Sequence, residues 1–274
     1  LARGKLSTAL SRALWLGLGV LGLALIWASL VRTEFLPQRV LGIGPKGQEA
    51  FVRLISALAH PDLTVLPEIA DGMWESIAMG LIGTLLAVVA SLLTCFLAAR
   101  NLTFGTPQGK AVYLVVRTVY NIVRAFPPIV LAMLFVVLWG VGPLAGVMAL
   151  AVHSVGMLGK LFAEAIEGAD PGPIEAVRST GASPIQVVAY GILPQVLPHF
   201  VAYSVYRWDI NIRMSIVLGV VGAGGIGNLL QQYFGYLKYE QISTTFLAIL
   251  VVVTALDLAS GWIRERLGVV SAPV

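Results

Sequence analysis

The chain has 274 residues, of which 58% are hydrophobic and 12% charged, and its mean hydropathy is +0.87. An average soluble domain carries roughly 25% charged residues, so much of this outer face must meet lipid and an ordinary water-soluble domain is excluded. The net charge of +4 bears on membrane orientation more than on nucleic acid, and the single Cys95 excludes an intrachain disulfide framework.

A helix needs about 20 apolar residues to cross the hydrocarbon core. Six stretches meet that need: Ala13–Val31, Ile77–Ala99, Ala125–Val141, Leu144–Gly159, Val196–Val221 and Ile242–Ile263. The first follows Arg3, Lys5 and Arg12, as a secretory signal would, but its length and the lack of a small-residue cleavage site read as a span. The expectation is an all-α, polytopic membrane protein with six transmembrane helices. Arg3, Lys5, Arg12, Arg100, Lys110, Arg117, Arg124, Lys160, Arg178, Arg264 and Arg266 fall on one side. Arg32, Arg39, Lys46, Arg53 and Lys238 fall on the other, so both termini are expected in the cytoplasm. Residues 32–75 are an external connection with a short helix around Glu49–Ala59. Lys110, Arg117 and Arg124 recur every seven residues, which fits an interfacial amphipathic helix facing anionic headgroups or, equally, a solvated connector.

Residues 167–194 form the informative cytoplasmic segment. Asp170-Pro171-Gly172-Pro173 is turn chemistry, and a short helix from there to Thr180 can end at Gly181 in the left-handed conformation. Ser183-Pro184-Ile185-Gln186 combines capping-box spacing with a first-turn proline, starting a second helix that runs to Pro194. Helix, glycine bend and helix suit a knob that passes a rigid-body push, or an inert connector. Glu175, Ala176, Gly181, Leu193 and Pro194 resemble, in register, the signature of ABC importer permeases, with Val177 and Gly191 departing from it. The resemblance implies that this short helix docks in a cleft of a partner ATPase and transmits its closure.

Tyr206-Arg207-Trp208-Asp209-Ile210-Asn211-Ile212-Arg213 lies inside the fifth span. Ionisable groups there are expensive unless they are paired or face a cavity. Asp209 and Arg213 are four apart, as are Arg207 and Asn211, so each couple can pair along a helix. Two readings remain: arginines on a substrate path that favour an anion, or an ion-pair network that locks helices or a dimer interface. The following Gly222, Gly224, Gly225 and Gly227 match a dinucleotide-binding spacing but follow no strand, as does Gly42–Gly47. They read instead as tightly packed backbone at the external mouth.

The stretch from Tyr206 to Gly227, together with Gly156–Phe162 and Glu164-Ala165, resembles the phosphonate ABC transporter permease family, from about residue 70 to 266. Methionine-type permeases share the glycine cluster but lack the Arg-Trp-acid-x-Asn-x-Arg run, and the family more often has Glu where Asp209 stands. The resemblance implies a type I ABC importer permease of the bacterial inner membrane. Residues 1–70 would be an N-terminal span and loop, 71–266 the transport domain with its coupling segment at 167–194, and 267–274 a tail. It also implies a homodimer with cytoplasmic ABC ATPase subunits, which hold ATP and magnesium, and an extracytoplasmic binding protein. No cofactor, metal or nucleic acid is expected in this chain.

Gly105–Ala111 echoes a P-loop poorly, being one residue short and ending in Ala where Ser or Thr should bind magnesium. His60, His153 and His199 show no metal-ligand spacing, and His153 reads as a hydrogen-bonded core residue or a pore group. Phosphate, phosphite or methionine import is an alternative within the same class. A secondary transporter using Asp209, Asp257 or His153 for protons is another, although no repeat of interrupted spans is evident.

Overall fold

The computed structural model describes residues 2–33 and 44–266, and every regular element in them is helical. Arg39, the start of the Gly42–Gly47 motif and the 267–274 tail lie outside the described residues. Two compact units divide the chain, Leu1–Ser56 and Ala57–Val274. The first holds α1 (Ala2–Arg32) and most of α2 (Pro45–Ala59). Within α1, Gly17–Arg32 is an apolar stretch shorter than the other candidate spans.

The second unit holds the remaining helices. A short 3-10 turn leads into α3 (Leu66–Thr94), and α4 (Arg100–Thr103) follows it. Next come α5 (Pro107–Ala125), α6 (Pro128–Trp139) and α7 (Pro143–Glu167). The 167–194 segment contains α8 (Pro171–Ser179) and α9 (Pro184–Gln186), then a π-helical turn at Val187–Ile192. The chain closes with α10 (Leu193–Gly219), α11 (Gly225–Gly235) and α12 (Tyr239–Arg266).

Among the described residues four helices are long and apolar enough to cross a membrane: Leu63–Ala98, Pro143–Glu167, Pro184–Gly219 and Tyr239–Ile263. The expected third span is different. Phe126 and Pro127 adopt extended backbone before Pro128, because a residue preceding proline avoids the α region. The result is an 88° bend between α5 and α6. At 1.5 Å per residue, the 12 residues of α6 reach only about 18 Å, and α5 and α6 pass as apolar enough to span only when taken together as a bent pair.

Small residues bring the central helices together, as expected where lipid competes equally for apolar side chains. A Cβ on Gly80 of α3 would stand 2.8 Å from Ile212 of α10, and one on Gly83 would stand 2.9 Å from Leu150 of α7. Gly156 of α7 lets the backbone of α5 approach at Tyr120. Lower in the core Ala87, Cys95, Leu158, Ile166 and Val196 surround the stacked rings of Phe162 and Phe200, 4.3 Å apart.

Arg117 corrects the amphipathic reading of α5. Its side chain is only 16% exposed and is bound to the end of α7, 2.9 Å from Glu167 and 3.6 Å from Glu164. Its Nε also donates to the Ala98 carbonyl. The seven-residue basic repeat still shares one helix face, but at Arg117 that face is turned to the end of α7 and not to headgroups. Glu167 further accepts from the Arg100 backbone N–H at 2.7 Å, so one carboxylate fixes α4, α5 and α7 together.

Candidate functional site

The 167–194 segment is built by local chemistry. Asp170 caps α8 by accepting from the Gly172 N–H, with Pro171 at the first turn. Gly181 terminates it at φ +81°, where a side chain would be strained. Ser183 and Gln186 form a capping box and Pro184 opens α9. Glu175 and Ala176 are exposed on α8. Ile185, 81% exposed, and Tyr190 leave an apolar surface on the same segment. Beside them Ala176, Val177, Thr180, Gly181, Ala182, Gln186 and Tyr190 line a concavity of about 600 Å³.

Two details depart from the sequence expectation. The second helix does not stop at Pro194; the chain continues through it into α10, with Pro194 in that helix's first turn. Proline lacks an N–H, and the π turn just before it, closed by Leu193 N–H to the Val188 carbonyl, carries the change in pairing. Gly191 is buried and allows α8 to pack close, since a Cβ there would stand 3.2 Å from the Ile174 Cα. Gln195 straps this corner: its Oε1 accepts from the Asp170 N–H at 3.0 Å and its Nε2 donates to the Gly191 carbonyl at 2.6 Å.

The polar residues of α10 divide into two stripes. At 100° per residue, Arg207 and Asp209 point about 200° apart. Arg207, Asn211 and Ser215 are buried toward α3 and α7. Arg207 Nε donates to Ser154 Oγ of α7 at 2.9 Å. Asn211 Nδ2 lies 2.9 Å from the same hydroxyl and donates to Thr84 Oγ1 of α3 at 2.9 Å. The expected direct Arg207–Asn211 couple is thus not made; Ser154 stands between them. Ser215 donates to the Ser76 carbonyl.

The second stripe faces α12. Asp209, 3% exposed, pairs with Arg213 one turn along, as its spacing predicts. The Arg213 guanidinium also reaches Asp257 of α12 at 3.2 Å, with both of those side chains about half exposed. His153 Nδ1 lies 3.1 Å from the Phe126 carbonyl, a hydrogen bond across the α5–α6 break.

The glycine cluster turns the chain from α10 into α11. Gly222, Gly224 and Gly225 all have positive φ. The Gly225 N–H donates to Glu75 Oε2 at 3.0 Å, and the Ile226 N–H donates to Ser76 Oγ at 2.9 Å. Two residues of α3 therefore cap α11, satisfying its free N–H groups. Gly224 lies against the Pro143 backbone, and Gly227 against the Ile216 carbonyl. Nearby, outside the candidate spans, the Tyr233 hydroxyl donates to Glu68 at 2.8 Å. Burial, reinforced by that carboxylate, pushes the phenol up to about 12. Asp62 is held below the usual carboxylate range by hydrogen bonds from the Thr64 hydroxyl and N–H.

Ser154, Thr84, Glu75 and Ser76 escape the sequence reading. Three of them lie on α3 and one on α7, helices read for their hydropathy, and each has a partner 50 or more positions away. Among the described residues there is no cluster of metal-ligating side chains.

Helices of this arrangement define the membrane subunit of a type I ABC importer. The MetNI methionine ABC transporter in inward-facing conformation superposes with a TM-score of 0.65 at 26% identity, over 75% of this chain and 99% of the solved one. This chain belongs to the family of binding-protein-dependent transport system inner membrane components, which matches residues 92–268. It is 44% identical to the phosphite transport system permease protein PtxC of Stutzerimonas stutzeri over 220 residues, 80% of this chain and 78% of that protein. It is also 43% identical to the phosphate-import permease protein PhnE of Mycolicibacterium smegmatis over 85% of this chain, which spans 42% of that longer protein. The chain is accordingly a multi-pass inner-membrane permease, not an enzyme, and works with a binding protein and a separate ATPase.

Proposed function

We propose that this permease imports a phosphonate or a related phosphorus oxyanion, phosphite or phosphate, into the cytoplasm by alternating access. The observation that carries the reading is the arginine-bearing run Tyr206–Arg213, folded into a helix at the centre of the bundle, in a chain 44% identical to a phosphite permease. Arginine suits such cargo because its planar fork matches paired oxygens on phosphorus. Two copies would form the path, with both termini in the cytoplasm and residues 71–266 as the transport domain. Glu175, Ala176 and Gly181 would engage the ATPase, and Leu193-Pro194 would carry its movement into α10. The glycines from Gly222 to Gly227 would form the external mouth.

The test is uptake into proteoliposomes holding the permease, its ATPase and its binding protein. Expected is ATP-dependent uptake of phosphite, phosphate or a small phosphonate, surviving collapse of the proton gradient. Replacing Glu175 with Ala and Gly181 with Val together should reduce it by about tenfold or more, the equivalent of one lost charged contact. Uptake of methionine in place of these anions would refute the substrate class. Normal uptake by the double variant would refute the coupling role.

A further inference from the structure

The two arginines of α10 differ in how their charge is met. Arg213 has two carboxylates, Asp209 and Asp257. Arg207, only 6% exposed, has none among the described residues. Its one hydrogen bond there runs from Nε to the Ser154 hydroxyl. Among the described residues its electrostatic neighbours are Tyr206 beside it and His153 on α7, neither of them a carboxylate. A guanidinium has five N–H donors, so its two terminal amino groups keep their donors without a protein acceptor among the described residues.

A buried charge without a counter-ion costs several kcal/mol. Holding α3, α7 and α10 together would not require it, because Ser154, Asn211 and Thr84 already form a neutral interhelical chain. That chain does something else. The Ser154 hydroxyl lies 2.9 Å from the Asn211 Nδ2, and Thr84 in turn donates to the Gly80 carbonyl at 2.6 Å. Arg207 is thus gripped by its Nε edge, fixing the plane of the fork while leaving the terminal amino groups uncommitted. A guanidinium held by one edge, with its terminal donors uncommitted, suits the binding of an anion.

We infer that Arg207, oriented by Ser154, Asn211 and Thr84, is an intramembrane contact for the tetrahedral oxyanion in transit, which supplies a countercharge that no described residue provides. This rests on the oxyanion reading above and narrows it: Arg213 is a fixed lock between α10 and α12, and Arg207 is the substrate contact.

The experiment uses the reconstituted complex with phosphite as the probe. Asn211→Asp places a near-isosteric carboxylate in the same network. Expected is a complex that unfolds at a higher temperature than the wild type, because Arg207 gains a partner. Its maximal uptake should be about tenfold lower, the worth of one charge-assisted contact. The half-saturating phosphite concentration should stay the same, since capture belongs to the binding protein. An arginine with a structural role alone predicts added stability with undiminished uptake, and that result would overturn the inference. Arg207→Lys keeps the charge and loses the fork; it should assemble, with maximal uptake again reduced. Wild-type uptake by Arg207→Lys also overturns the inference, and this variant decides the matter should Asn211→Asp fail to assemble. A wild-type complex that imports none of phosphite, phosphate and phosphonate removes the oxyanion reading itself. Wild-type import that both variants retain removes only the role of Arg207.

Discussion

Arg207 and Arg213 lie six positions apart on one helix, yet the two sit in opposite electrostatic situations. Arg213 is half exposed and doubly paired, with Asp209 one turn away and Asp257 on α12. Arg207 is almost wholly buried and meets a hydroxyl. In water the first arrangement would be worth little, and in a bilayer the second is costly. The contrast separates a charge that the fold has neutralised from one that it has left available. Composition alone counts both as one arginine in a span.

That contrast can be broken experimentally. The largest effect is expected from Arg213→Met, which strands Asp209 as a buried, nearly inaccessible carboxylate. Breaking buried pairs costs roughly 3–5 kcal/mol. With Arg213 half exposed, a loss of about 2 kcal/mol in unfolding free energy is expected in detergent. The double variant Asp209→Leu, Arg213→Met should recover most of that loss, which thermal unfolding of the two proteins side by side would measure. Asn211→Ala comes next. It removes the bridge from Ser154 to Thr84, and interhelical hydrogen bonds in membranes are worth about 0.6 to 2 kcal/mol. Asp257→Asn should be the mildest, costing below about 1 kcal/mol, because Asp209 still holds Arg213. If unfolding data reversed the order of Arg213→Met and Asp257→Asn, the lock would lie on α12 and not within α10.

The structure of the 167–194 segment was legible in advance because its code is local. Gly181, Pro184 and the Ser183–Gln186 box each act within a few residues, and the helix, bend and helix appear where the spacing puts them. Asp209–Arg213 was readable for the same reason. The Arg207–Asn211 couple was not, since Ser154, 53 residues before Arg207, stands between them. Nothing in a linear pattern says which polar residue of an apolar helix will meet which other. The bend at the start of the third span was missed for a different reason. Hydropathy averages over Phe126-Pro127-Pro128, while backbone sterics turn the chain there by 88°. Arg117 shows the remaining weakness: a seven-residue repeat assigns a face, but the carboxylates at the end of α7 decide where that side chain goes.

The π turn at Val187–Ile192 also sets the phase of everything beyond it. A loop closed from residue i to i+5 holds one residue more than an α-helical loop. Deleting one residue inside it would let the stretch close as α-helix and leave Arg207 and Asn211 aimed at α7. The same deletion between His199 and Tyr206 would swing both by about 100°, away from Ser154 and Thr84. Chain length can therefore drift at the foot of α10 without rotating its polar stripe, whereas above that foot each residue added or lost re-aims it.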